Sequence, residues 1–160
     1  MEVWEWEGKD EMSTLVADRQ GVLSVCTSCG KTNRLRYTHM GRTFRCGHCH
    51  TTLPPPSAPV EVPDAESFDA ILQHAPVPVL ADFWAPWCGP CRVMAPELEA
   101  AAGNLAGRAV VVKVNTDAAP DLGERFRIRS IPTLAVFREG REVSRVAGAR
   151  PAAEIEALVG

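Results

Sequence analysis

Six cysteines stand in three pairs of one spacing: Cys26 with Cys29, Cys46 with Cys49, and Cys88 with Cys91. Cys-x-x-Cys serves two chemistries, two thiolates on a metal or two thiols that open and close a disulfide. The flanking residues separate them. Cys88 and Cys91 follow an apolar run from Val77 to Phe83, the pattern of a strand buried on both faces, and Pro86 breaks the run just before the pair. An amphipathic stretch comes next, so the pattern predicts both thiols in the first turn of a helix. Unpaired backbone N–H groups and the positive end of the helix dipole favour a thiolate at Cys88. Cys91 lies three residues on, on the same helical face, where it can close a disulfide with Cys88. Gly89 lets the backbone approach a partner chain, and Pro90 presets φ for a helical start.

The segment Trp84-Ala85-Pro86-Trp87-Cys88-Gly89-Pro90-Cys91 resembles the active-site segment of the thioredoxin family. Under that resemblance Cys88 attacks a substrate disulfide, and Cys91, expected to be the more buried thiol, releases the product by attacking Cys88. Cys91 then needs a base. Asp82 interrupts an otherwise apolar strand, where a lone carboxylate is costly and its pKa should rise, so it is the candidate. The resemblance gives Asp82 the same role and places Lys113, the charge between Val112 and Val114, close to it. Ile131-Pro132 matches the family's cis-proline element, whose expected use is to present the Ile131 backbone to a substrate strand. Trp87 would offer flat apolar contact beside Cys88, Trp84 would support the site from below, and Gly148 would lie on the apolar rim. By the same resemblance, the Gly-Pro between the thiols implies a reductant, recharged by an NADPH-dependent thioredoxin reductase and acting on protein disulfides.

The other four cysteines read differently. Two Cys-x-x-Cys knuckles separated by sixteen residues match a ribbon in which Cys26, Cys29, Cys46 and Cys49 enclose one structural Zn²⁺. About thirty residues bury too little surface to fold alone, so a metal would supply the missing stability. Cys46-Gly47-His48-Cys49 also spells the active-site tetrapeptide of disulfide isomerases. No apolar strand precedes it, however, and Pro54-Pro55-Pro56 forbids a following helix. His39, His48 and His50 are expected to be exposed rather than ligands. Leu35 to Tyr37 and Thr43 to Arg45 suit two short strands around Met40-Gly41.

The pieces in order are a flexible tail over 1–20, a zinc-ribbon module over 21–53, a proline-rich linker over 54–58, and an α/β domain over 59–160. In the last, Val60 to Val62 is a first strand and Asp64 caps a helix over 65–74. The redox strand and helix follow. That helix carries Pro96 in its interior, where a kink is expected, and presents Met94, Leu98, Ala101 and Leu105 on one face. Ala109 to Val114 is another buried strand, and Asp117 opens a helix with Leu122 and Phe126 inward. A hairpin turns at Glu139 to Arg141, and Pro151 opens a final helix. The order predicts a mixed sheet with helices on both faces, as the thioredoxin resemblance also implies.

A chain of 160 residues, 46% apolar, supports one ordinary domain and a small appendage, and a net charge of −3 gives no case for nucleic acid. No run is long enough to span a membrane. The first twelve residues have neither a charged n-region nor an apolar h-region, so the expected compartment is the cytoplasm. Together the two halves resemble the zinc-containing bacterial branch of the family, the thioredoxin 2 type. The alternative is a zinc-dependent redox sensor or a holdase-like binding module.

Overall fold

A computed structural model describes residues 15–160 of the chain. Three short strands come first: β1 (Leu15–Ala17), β2 (Gly21–Val25) and β3 (Thr32–Arg36), each antiparallel to the next. Asp18 closes the β1–β2 turn by accepting the N–H groups of Gln20 and Gly21 and holding Arg34 at 2.8 Å. A two-stranded ribbon of β4 (Phe44–Arg45) and β5 (Thr52–Leu53) follows. Next come β6 (Val60–Glu61), α1 (Ala65–His74), β7 (Val79–Trp84), α2 (Gly89–Asn104) and β8 (Val110–Asn115). The chain ends with α3 (Pro120–Arg125), β9 (Thr133–Arg138), β10 (Arg141–Ala147) and α4 (Ala152–Val159).

Eight strands make one mixed sheet in the order β10-β9-β7-β8-β6-β1-β2-β3. The parallel partner β8 and the antiparallel partner β9 flank β7. With neighbours on both edges and helices on both faces, β7 has no water-facing side, so its residues read as one apolar run. On one face Phe68 and Ile71 of α1 and Leu122 of α3 pack on Val79, Ala81 and Phe83. Phe68, Phe126 and Phe137 meet edge to face there, with ring centroids 5.4–5.6 Å apart. On the other face Met94, Leu98 and Ala101 of α2 and Ile155 of α4 cover Leu80, Val111, Leu134 and Val136. Asp64 caps α1 by accepting the N–H of Ser67 at 2.8 Å. Pro96 lies inside α2, and Glu139 and Gly140, with φ of 52° and 81°, form the β9–β10 turn.

Four expectations change. The tail expected over 1–20 ends sooner: Leu15 and Val16 pair in parallel with Val60 and Glu61 of β6, and the rest of that stretch, residues 1–14, lies outside the described residues. The segment 54–58 is not a free spacer. Pro56 is buried, and the segment runs past the end of α2, close to Gly103 and Gly107. The amino-terminal module is therefore joined to the α/β sheet through β1, not strung before it on a linker. Finally, the two strands expected around Met40-Gly41 do not pair. Residues 32–36 pair with β2, Tyr37–His39 is a 3₁₀ turn, and Phe44 pairs with Leu53. Gly41, at φ 94°, instead meets the α/β half so closely that a Cβ would stand 2.9 Å from Val77 Cγ1.

Candidate functional site: a disulfide at a strand-to-helix turn and a four-thiol cluster

At the carboxyl end of β7 the chain turns through Ala85 to Trp87 and enters α2 with Cys88 as its N-cap. Cys88 and Cys91 are joined in a disulfide, with Cα atoms 5.3 Å apart. Cys88 Sγ accepts the backbone N–H of Cys91 at 3.2 Å, one of the orphan donors of the first turn. The same sulfur lies 3.7 Å from the carbonyl oxygen of Ile131. Both cysteines are nearly enclosed, Cys88 at 3% exposure and Cys91 at 6%, so the expectation that Cys91 is the more buried of the two does not hold. The reason is the surrounding wall: Ala85, Trp84 and Ile131 pack around both sulfurs together.

The Ile131-Pro132 bond is cis, and the Pro132 carbonyl accepts the N–H of Gly148 at 2.8 Å, which ties the loop to the end of β10. Gly148 has φ 98°, and a Cβ there would meet open space, so the backbone conformation and not crowding calls for glycine. Gly89 and Pro90 are exposed, as is Trp87 at 66%. Trp87 is held in place because its indole N–H donates to Asp117 Oδ2 at 3.0 Å. Asp117 was expected only to start a helix. That helix begins at Pro120, because Asn115 Oδ1 accepts the N–H groups of Asp117 and Ala118 and forms a turn first. Between Trp87 and Ile131 opens a groove of about 560 Å³, walled by Pro120, Ile128, Arg127 and Arg129.

Beneath α2, Asp82 is 3% exposed, and its Oδ1 has no hydrogen-bond partner. Burial raises its pKa from 3.8 to about 7; Lys113 opposes the rise and Glu61 adds to it. Lys113 Nζ lies 3.9 Å from Glu61 Oε2 and 4.2 Å from the centre of the Trp84 ring. Sequence reasoning passed over Glu61. A charge between two buried valines reads as a strand's wet side, and only the strand register reveals its neighbours.

The second cluster is remote in sequence and built from two equivalent turns. Cys26 N–H donates to Lys31 O and Gly30 N–H to Cys26 O; Cys46 N–H donates to Thr51 O and His50 N–H to Cys46 O. These turns bring the four sulfurs within 4.8 Å of one another, with Cys26 to Cys49 at 3.7 Å and Cys29 to Cys46 at 3.6 Å. A tetrahedron with Zn–S bonds of about 2.3 Å has S···S edges of about 3.8 Å, so this donor set fits zinc. Cys46 is nearly enclosed, and N–H donors from the Cys49 backbone, the Asn33 amide and the His48 backbone lower its pKa to about 5. His39, His48 and His50 are exposed and stand outside the cluster.

Comparison with known proteins agrees with this geometry. The Thioredoxin family pattern matches residues 59–160. The chain is 37% identical over 135 residues to thioredoxin C-3 of Corynebacterium nephridii, covering 84% of this chain and 91% of that one. It is 48% identical over 95 residues to thioredoxin 1 of a Nostoc species, covering 59% and 88%. Among solved structures, thioredoxin of Plasmodium falciparum superposes with a TM-score of 0.58 at 31% identity, over 62% of this chain and 94% of that one. Trypanosoma brucei brucei thioredoxin gives 0.60 at 25% identity, over 72% and 95%.

Proposed function

Because this chain belongs to the thioredoxin family and is a protein-disulfide oxidoreductase, we propose that it works as a reductase, recharged by an NADPH-dependent thioredoxin reductase. The observation that carries this reading is the Cys88–Cys91 pair at the start of α2, beside the Ile131 carbonyl and the exposed Trp87. In the reduced protein the Cys91 N–H and the helix dipole stabilise a Cys88 thiolate. That thiolate attacks one sulfur of a substrate disulfide. A Cys88–substrate bond forms as the substrate S–S bond breaks, and the first substrate thiolate leaves. The Cys91 thiol gives its proton to Asp82 and attacks Cys88 Sγ, so the Cys88–Cys91 bond forms and the second substrate thiolate leaves. Two electrons pass to the substrate, and the reductase returns them.

Binding follows from the same geometry. An extended substrate segment pairs with the Ile131 backbone and lays apolar surface on Trp87, with Gly89, Pro90 and Gly148 giving it room. Lys113 is the register partner of Asp82 on β8, and its ammonium lies over the Trp84 ring.

In the same reading Cys26, Cys29, Cys46 and Cys49 hold one zinc ion, which supplies structural cross-linking only. The donor geometry supports this: four sulfurs lie within 4.8 Å of one another. The protein then belongs to the zinc-containing bacterial branch and works in a reducing compartment such as the cytoplasm, where the ribbon thiolates stay reduced. The test is a coupled assay with NADPH, thioredoxin reductase and a disulfide-bonded reporter protein. Sustained NADPH oxidation is expected. Reporter reduction by a chemical dithiol, with none from the reductase, would overturn the assignment of the electron donor.

A further inference from the structure

Three charged side chains form one row across three parallel strands. Glu61 on β6 is the register partner of Lys113 on β8, and Lys113 is the register partner of Asp82 on β7. All three share the α2 face, since Leu80 and Val111, two residues from Asp82 and Lys113, pack with Met94 and Leu98. The row runs from dry to wet. Asp82 is 3% exposed, while the Lys113 and Glu61 side chains are 22% and 34% exposed. Its one ion pair points outward, from Lys113 to Glu61, and the inner carboxylate keeps an unpartnered Oδ1. Beside that pair lies a cavity of about 150 Å³, lined by Glu61, Lys113, Leu98 and Glu99 among others.

We propose that Glu61 is a positioning residue for the resolving step: its carboxylate holds the Lys113 ammonium on the solvent side of the row, leaving Asp82 without a contacting cation and able to take the Cys91 proton. This rests on the reading of Asp82 as the base. A carboxylate in contact with an ammonium is a poor base, because the opposite charge favours its ionised form. Removing the Glu61 charge acts twice in one direction. It frees Lys113 to move toward Asp82, and it removes a like charge. The charged groups acting on Asp82 are Lys113 from β8 and Glu61 from β6, with Glu99 of α2 at the rim of the cavity beside that pair. Its β9 partner, Leu134, carries no charge.

The experiment is a ¹³C NMR titration of the Asp82 carboxyl in the disulfide form of the full protein. Glu61→Gln keeps shape and removes charge; it should lower the Asp82 midpoint by about half a pH unit or more. In a Lys113→Met background the same substitution should move it less than half as far. The pH profile of the resolving step should shift by the same amount. An unmoved midpoint, or an equal shift in both backgrounds, overturns the proposal. A parent midpoint in the ordinary carboxylate range would instead overturn the reading of Asp82 itself.

Discussion

Gly30 and His50 occupy the same place in the two turns that carry the four-thiol cluster. Each follows the second cysteine of its pair, and each has a left-handed backbone, φ 80° and 66°. Glycine adopts that conformation without cost, and histidine does not. His50→Gly is therefore expected to raise stability by about 0.5–1 kcal/mol, read from the denaturant midpoint of zinc-loaded protein. Because His50 is exposed and outside the sulfur cluster, zinc content should not change. Loss of zinc in this variant would make the imidazole a ligand and reverse the assignment.

The two redox cysteines should fail in different ways. Cys88→Ser removes the attacking sulfur and should abolish reporter reduction. Cys91→Ser keeps the attack but removes the resolving thiol, so a covalent adduct with the reporter should accumulate and be visible by mass. Normal turnover by Cys91→Ser would sink the two-thiol scheme. Both thiols are almost equally buried, so the proposed division of labour would rest on the helix N-cap at Cys88 and not on access.

Much of this was legible in the chain because the signals are local. The run before Cys88 declared a doubly covered strand, Asp64 declared a helix cap, and the doubled knuckle spacing brought four sulfurs together. The failures share one cause, which is pairing between distant segments. Leu15 to Ala17 is too short to show a period and becomes a strand only because β2 and β6 flank it. The stretches Leu35 to Tyr37 and Thr43 to Arg45 read as two strands around one turn, but Leu35 pairs with Val22 and Phe44 with Leu53. Glu61 and Asp117 gained meaning only when register and turn geometry placed them against Lys113 and Trp87.

Metal removal should act on one end of the sheet. β1, β2 and β3 form its outer edge, next to the two-strand contact of β1 with β6. Without a cross-link the knuckles lose their main restraint, and this edge should open first. Amide exchange after chelation should quicken at Val22 and Leu35 while Leu80, Val111 and Leu134 stay protected. Reporter reduction should persist. Equal loss of protection on both sides of β6 would mean that the ribbon and the α/β half unfold as a single unit.

Asp82 gives the stability a pH dependence of definite sign. Its folded pKa of about 7 stands above the ordinary carboxyl value of 3.8, so the folded protein holds a proton there that the unfolded chain has released. The stabilisation is complete below about pH 4, declines as pH rises through that interval, and is gone above about 7. At about 1.4 kcal/mol per pH unit, the swing is on the order of 3–4 kcal/mol. Asp82→Asn has no such swing. Compared as disulfide forms, which keep Cys88 and Cys91 from titrating, the variant should gain about that much on the parent between pH 4 and pH 8. Ribbon thiolates titrate in both proteins and cancel in the difference. The same variant should slow the resolving step at least about tenfold, since the base is lost. A stability difference that stays constant across this pH range would show that Asp82 is ionised throughout and that burial does not raise its pKa. An unslowed resolving step in the variant would show that some other group takes the Cys91 proton.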